Sequence, residues 1–266
     1  MDIVLFILVS VLLIVAVTVY KKKERKKTEQ KNELRNEPFS QAWREIIHDK
    51  VLFYRELEKE EKDLFEQQIL RFIATKKIEA VDTSIDDEVK LLVASSAVIP
   101  TFAFPNFNYP SIRTVLIYPG SFDEDFNTVK YKNHQQFITG MVGNKALKGT
   151  VILSKPDLLA GFNGSRTKHN VGIHEFVHIL DGTDGDIDGI PERLIEHSYV
   201  GSWLFEIKEE MDEIMKKKSD INPYSLTNNA EFLAVVSEYF FSSPHQFKKK
   251  HPDLYKYMVE IFDQEL

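Results

Sequence analysis

Apolar residues recur at helical spacing over most of the chain after residue 38. Positions three and four apart repeat in several segments, and each segment predicts a helix. Ser40 is predicted as the N-cap of the first helix. The third helix is predicted to start near Asp82, Thr83 or Ser84 and to end before Pro100. The helical segments are residues 39–57, 61–78, 84–99, 190–218, 228–244 and 244–266.

Strand signals are confined to the middle of the chain. Segments 111–119 and 149–154 are β-branched and apolar, and proline stops follow both. The polar stretch between them predicts one further strand around residues 137–142. The aromatic segment 102–109 predicts a packed loop. Helices, then a few strands, then helices again predict an α+β fold, mostly helical with a small mixed sheet.

The N-terminus combines a long apolar run with a basic flank. Residues 3–19 contain two polar side chains, and as a helix they would span about 25 Å at 1.5 Å per residue. Residues 21–27 are mostly Lys and Arg, so the positive-inside rule keeps them in the cytoplasm. We therefore expect a transmembrane anchor at residues 1–20, a charged linker at residues 21–37 and a domain at residues 38–266. The prediction is a single-pass protein of the cytoplasmic membrane whose domain faces the cytoplasm.

Composition excludes several classes of site and partner. The 266 residues include no Cys, so a metal site must use His, Asp or Glu. Residues 1–37 carry eight Lys/Arg against five Asp/Glu, whereas the remaining residues carry 26 against 36. A body with this acidic balance is a poor binder of nucleic acid, and we expect no nucleic-acid partner.

The chemistry of the chain centres on the sequence HEFVH. His174 and His178 are four residues apart, so on a helix both imidazoles reach one Zn²⁺. Glu175 lies beside the first histidine, where the carboxylate takes a proton from water as the water attacks a carbonyl. A buried helix with two incidental histidines is the alternative. It is disfavoured because uncompensated polar groups are costly to bury.

A catalytic site of this type needs a third protein ligand. Asp184 occupies the slot of an extended HExxH motif, but the glycine that this motif requires before it is replaced by aspartate. His169 and His197 are further alternatives. A carboxylate on a later helix is favoured, and the apolar segment 228–244 offers Glu231 and Glu238, seven residues apart and near one face.

Two segments resemble a known family. HEFVHILDGTDGDIDGIP, followed by NPYSLTNNAEFLAVVSEYFFSSP, is similar to the Mlc titration factor A family of zinc peptidases. The catalytic domain of that family is similar to anthrax lethal factor, which implies a zincin-like metallopeptidase domain. The upstream segments KLLVASSAVIP and SIRTVLIYPGSF add to the resemblance, which covers roughly residues 40–260.

The resemblance implies roles for individual residues. His174, His178 and Glu231 match the zinc ligands, and Glu175 matches the general base. Tyr224 matches a tyrosine beside the zinc, where a phenol stabilises the oxyanion of a tetrahedral intermediate.

Two further positions match residues that hydrogen-bond the ligating imidazoles. These positions are Asp181 and Glu238.

The function implied is zinc-dependent hydrolysis of peptide bonds in a peptide or protein substrate. The alternative is a regulatory protein that binds and sequesters a transcriptional repressor, with hydrolysis secondary. The apolar run at residues 3–19 departs from the soluble members of the family. It leaves the chemistry unchanged but bears on location and partners.

Two further segments have patterns typical of binding sites. Strand 149–154 is expected to pair with extended substrate, as a strand beside the metal helix does in many zinc peptidases. Residues 184–189 begin like a calcium-binding loop, but Ile195 stands where that loop requires Glu, so we expect no calcium site.

Overall fold

The structure, a computed structural model, describes residues 39–122, 138–143, 147–164 and 168–266. The predicted anchor at residues 1–20 and linker at residues 21–37 lie outside these ranges. None of the helices in the described ranges is both long and apolar enough to cross a membrane. Residues Phe39–Leu266 form one unit.

Three helices begin this unit, and local capping explains their ends. Ser40 caps the first helix by accepting a hydrogen bond from the Trp43 amide, as predicted. Val51 has an extended backbone, so segment 39–57 forms two helices instead of one. Glu58 and Glu61 form a reciprocal capping box at the start of the third helix. The helices are α1 (Gln41–Lys50), α2 (Leu52–Glu56) and α3 (Lys59–Thr75).

The described residues contain a mixed sheet of four strands. In spatial order β1, β2 and β4 are parallel neighbours, and β3 closes the sheet antiparallel to β4. A helix through residue 78 is the wrong prediction, because α3 ends at Thr75 and Lys76 is extended. The strands are β1 (Lys77–Ala80), β2 (Thr114–Tyr118), β3 (Gly140–Val142) and β4 (Thr150–Ser154).

The expectation that strand 149–154 pairs with substrate is wrong. β4 is an inner strand whose two edges are occupied by β2 and β3. Val151, Ile152 and Leu153 are all fully buried, as in a strand that is covered on both faces. Among the described strands, β3 has the outer edge on this side of the sheet.

Close packing fixes the helix that carries the two histidines. α4 (Asp87–Val98) is buried along most of its length, and Asp86 caps it, not residues 82–84 as predicted. After α5 (Lys155–Gly161), helix α6 (Val171–Asp181) packs against α4. A Cβ on Gly172 would lie 2.1 Å from the Ser96 hydroxyl oxygen, so this close approach requires glycine.

The C-terminal part of the unit is helical. Trp203 of the first helix here is fully buried and packs against Phe232 of the second. Segment 244–266 forms two helices instead of the predicted one, because Pro252 disfavours helical backbone at His251. The helices are α7 (Val200–Met215), α8 (Asn229–Ser242), α9 (Pro244–Lys250) and α10 (Pro252–Phe262).

Candidate metal centre

Three side chains from α6 and α8 converge at one point. His174 and His178 lie one turn apart on α6, and Glu231 lies in the first turn of α8. His174 Nε2 is 3.1 Å from Glu231 Oε2 and 3.1 Å from His178 Nε2. His178 Nε2 is 3.5 Å from Glu231 Oε2. The structure thus brings together the three residues predicted as metal ligands.

The donor set fits a divalent metal. Tetrahedral ligands at ~2.1 Å from a zinc ion stand about 3.4 Å apart, close to the observed separations. Glu238 Oε1 lies 2.7 Å from His174 Nδ1. A carboxylate accepts there, so Nδ1 carries a proton and Nε2 is the ring nitrogen that faces the centre. When Nε2 is deprotonated, the two imidazoles and Glu231 offer a cation three lone pairs at one point.

Glu238 also holds the start of α6. Its second carboxylate oxygen accepts a hydrogen bond of 2.6 Å from the Asn170 amide. The Asn170 side chain caps α6 by accepting from the Ile173 amide. Glu238, 5% exposed, thus orients His174 and ties α8 to the N-terminus of α6. The predicted hydrogen bond between Glu238 and a ligating imidazole is present, with His174 Nδ1 donating to Glu238 Oε1.

The electrostatics of the centre couple its acids and bases. Burial opposes charge on His174, but hydrogen bonds to Glu231 and Glu238 outweigh it and raise the pKa of the imidazole. Burial likewise opposes charge on Glu231, but hydrogen bonds from His174 and His178 lower its pKa to about 2. Glu231 is therefore an ionised carboxylate at neutral pH.

Glu175 lies against strand β3. Its side chain is buried, and that burial raises its pKa despite the neighbouring imidazoles. A Cβ on Gly140 would come within 2.6 Å of Glu175 Oε1, so glycine at this position leaves room for the carboxylate. Both residues line a cavity of about 690 Å³ that also reaches His174.

Tyr224 forms part of the same cavity wall. It lies in a 3₁₀ turn, Pro223–Leu226, that leads into α8. Its ring centroid is 6.2 Å from that of His174, and the residue is 51% exposed. Burial of its hydroxyl and the charges of Glu231 and Glu175 raise its pKa. The phenol is therefore protonated at neutral pH.

The other predicted ligands lie elsewhere. Asp184 accepts hydrogen bonds from the amides of Asp186 and Glu192. His169 lines the cavity, and its Nδ1 is 3.8 Å from Glu238. His197 begins a separate 3₁₀ turn. None of the three belongs to the group of converging ligand atoms found among the described residues.

Asp181 does not form the predicted hydrogen bond to an imidazole. Its Oδ2 accepts from the Gly189 amide at 2.8 Å and so fixes the loop after α6. Its Oδ1 and His178 Nδ1 are both buried without a hydrogen-bond partner in the described part of the chain. Burial raises the pKa of Asp181 to about 6.

Two residues that shape the site, Asn170 and Gly140, have no role predicted from the sequence. An asparagine directly before a helical pattern is an N-cap signal, which would have found Asn170. Nothing in the sequence alone marks Gly140, because its role depends on the packing of β3 against α6.

The chain is similar in sequence to several known proteins. Relatives named Mlc titration factor A occur in Escherichia fergusonii, at 34% identity over 161 residues, and in Klebsiella pneumoniae, at 32% over 162 residues. These matches cover 56% and 57% of this chain, and 58% and 59% of those relatives. An uncharacterised protein of Synechocystis sp. is 27% identical over 247 residues, 86% of each chain.

A family model provides the broadest match. The model described as glucose-regulated metallo-peptidase M90 matches residues 22–263. The matched range contains both histidines of α6, Glu231 and the residues that line the adjoining cavity. The predicted resemblance is thereby confirmed, and the chain belongs to the glucose-regulated metallopeptidase M90 family.

Proposed function

We propose that this protein is a zinc-dependent metallopeptidase with a zincin-like catalytic domain. One observation carries the proposal: His174, His178 and Glu231 converge at one point, and His174 and the buried carboxylate of Glu175 both line a cavity. A carboxylate that adjoins but does not join the ligand set is what hydrolysis by activated water requires.

The ligand chemistry favours zinc. Two imidazoles and one carboxylate form a donor set common in catalytic zinc sites, where three protein ligands leave a position open. When bound, the ion polarises the substrate carbonyl and makes water more acidic.

Glu175 moves the proton in this proposal. Its carboxylate takes a proton from the attacking water and passes it to the leaving amine. Burial raises the pKa of Glu175, so its carboxylate holds the transferred proton more readily than an exposed glutamate would. The His174 and His178 rings stay oriented, because α6 is packed against α4 and capped by Asn170.

Tyr224 supplies a hydrogen-bond donor on the other side of the cavity. Its protonated hydroxyl donates to the oxygen on which negative charge develops as the carbonyl becomes tetrahedral.

The substrate is a peptide or a protein segment in extended form. Among the described strands, β3 lies at the edge of the sheet, and its residue Gly140 packs directly against the Glu175 side chain. Main-chain hydrogen bonds along this edge would hold a substrate by its backbone, with little dependence on side chains. β3, and not the predicted strand 149–154, is therefore the strand proposed to pair with the substrate.

A second candidate function is binding of a transcriptional regulator. Relatives carry the name Mlc titration factor A, which describes titration of Mlc. In this alternative the domain sequesters a regulator, and hydrolysis is secondary. The acidic balance of the chain argues for a protein partner and against nucleic acid.

We further propose that residues 1–20 anchor the protein in the cytoplasmic membrane as a single span. Residues 21–37 would then link the anchor to a catalytic domain at residues 38–266 that faces the cytoplasm. The support is the apolar run followed by basic residues. Protease accessibility in oriented membrane vesicles tests this arrangement. In right-side-out vesicles, which enclose the cytoplasmic face of the membrane, we expect the domain to be protected from added protease.

The experiment for function compares the zinc-loaded full chain with its Glu175→Gln variant on a broad peptide library. Cleavage by the wild type, its loss on chelation and its loss in the variant support the peptidase. Absence of cleavage by the zinc-loaded wild type would contradict it. A cellular effect that survives Glu175→Gln would favour the binding function.

A further inference from the structure

A second cavity adjoins the catalytic one. It has a volume of about 530 Å³ and shares His169, Asn222 and Val235 with the wall of the first. Val235 lies one helical turn beyond Glu231 on α8. Because the two cavities share part of their walls, an extended peptide in the first cavity, which advances about 3.3–3.6 Å per residue, would pass next to the second.

The lining of this second cavity combines apolar surface with cationic side chains. Ile214, Ile221 and the ring of Tyr239 supply apolar surface, and Lys168 and Lys217 supply positive charge. The Lys168 ammonium lies 4.4 Å from the centroid of the Tyr239 ring, which holds it over that wall.

Asp220, the one acidic residue among those lining the cavity, is already compensated. Its carboxylate accepts from Lys168, from Lys250 at 2.6 Å and from the His251 ring at 2.8 Å. The Tyr239 hydroxyl donates to it as well, at 3.1 Å. Burial opposes charge on Asp220, yet these donors outweigh it and lower its pKa. One carboxylate thus faces two lysines and an imidazole, and within the cavity lining the cations Lys168 and Lys217 outnumber it.

Both lysines retain capacity for a ligand. The Lys168 ammonium has three donors and gives two of them to Asp220, one to the carboxylate and one to the backbone oxygen. Lys216 and Lys218 pair with Glu213. Lys217, in the part of the chain that the structure describes, has no acidic partner within 4.0 Å.

We propose that this cavity is a subsite for a carboxylate of the peptide substrate, bound between Lys168 and Lys217. The carboxylate comes from the C-terminus of a short peptide or from an Asp or Glu side chain near the scissile bond. The proposal rests on the proposed peptidase function, because a substrate at the metal centre brings the carboxylate into reach. It goes further by naming a preference for acidic substrates.

Binding to the zinc-loaded full chain carrying Glu175→Gln tests the subsite without hydrolysis. The probes are tetra-alanine, its C-terminal amide, and amidated peptides with Glu or Gln in place of one alanine, measured by calorimetry. A carboxylate is expected to tighten binding about fivefold over its neutral counterpart, the size of a partly exposed ion pair. The free acid and the Glu peptide distinguish the two sources of the carboxylate.

Two charge variants locate the effect. Lys217→Gln should abolish the preference, whereas Lys216→Gln, its neighbour paired with Glu213, should keep it. Equal binding of acidic and neutral probes would overturn the subsite. So would a preference that survives Lys217→Gln, since the carboxylate would then bind elsewhere, such as at the metal. Retained preference with no cleavage by the wild type would overturn the peptidase function alone.

Discussion

Two polar clusters adjoin α8, and they differ in how their hydrogen-bond donors and acceptors are matched. At the metal centre, His174 Nε2, His178 Nε2 and a Glu231 oxygen face one another, and each can act as an acceptor when deprotonated. At the second cluster, the carboxylate of Asp220 is surrounded by donors, including Lys250 and the His251 ring. Both clusters combine imidazole and carboxylate. The balance of donors and acceptors, not residue type, therefore distinguishes a metal site from a structural ion cluster.

The largest expected effect separates catalysis from metal binding within the first cluster. Glu175→Gln should lower kcat by about a thousandfold, since a general base contributes ~10²–10⁴-fold. Because Glu175 is not a ligand, zinc content should stay at the wild-type level. Steady-state kinetics and metal analysis of the same preparation check both points. A variant that lost its zinc would show that Glu175 belongs to the ligand set.

Tyr224→Phe should have the next largest effect. Loss of one donor to a developing oxyanion costs ~10²-fold or more in kcat, and the half-exposed position of Tyr224 places the expected loss at about 10²-fold. KM should change little, because the contact forms in the transition state. A kcat equal to wild type would remove Tyr224 from the mechanism.

Glu238→Gln tests the carboxylate that orients His174. Partners of ligating imidazoles contribute about 10–100-fold to metal affinity, so zinc should bind more weakly by this factor. Competition with a chromophoric chelator measures the change. Asp181→Asn is the matched control, because Asp181 bonds the Gly189 amide and not an imidazole. Equal losses in the two variants would contradict the assignment of Glu238.

Asp220→Asn should affect stability and not zinc. Removing the charge leaves Lys168, Lys250 and His251 facing a neutral amide, and a loss of about 2 kcal/mol in the free energy of unfolding is expected after discounting for partial exposure. Urea unfolding of chelated protein measures the loss. Zinc affinity that fell with stability would show that the two clusters are coupled.

The pH dependence of that loss has a defined sign. The folded pKa of Asp220 is lowered, so its contribution is present above the ordinary carboxyl range near ~4 and is lost as the pH falls below it. The folded pKa of His251 is raised, so its contribution is present below ~6.5 and is lost as the pH rises through the elevated value. The difference between wild type and Asp220→Asn should therefore shrink from pH 6 to pH 3. A constant difference would contradict the charge-based explanation.

The sequence predicts the metal centre better than its surroundings. HEFVH places His174, Glu175 and His178 by helical periodicity alone, because four residues make one turn. Glu231 and Glu238 remain rivals on that basis, since both lie on one face of α8. In the structure Glu231 contributes one of the converging ligand atoms, whereas Glu238 accepts a hydrogen bond from His174 Nδ1, the ring nitrogen that faces away from the centre.

Features that depend on tertiary packing cannot be predicted from local sequence patterns. β1 follows α3 so closely that helical periodicity continues through it. The hydrogen bond of Asp181 depends on the path of the loop to Gly189, and the inner position of β4 depends on strand order. The Asp220 cluster joins residues from 168 to 251, which local pattern does not connect.

The proposed chemistry depends on one divalent ion held by two imidazoles and one carboxylate. X-ray absorption at the zinc edge of the purified full chain, compared with Glu231→Gln and His178→Ala variants, measures this ligand set. We expect one zinc per chain with two nitrogen ligands from protein and the Glu231 oxygen, and loss of the corresponding ligand in each variant. Absence of stoichiometric zinc, or a wild-type spectrum in both variants, would contradict it.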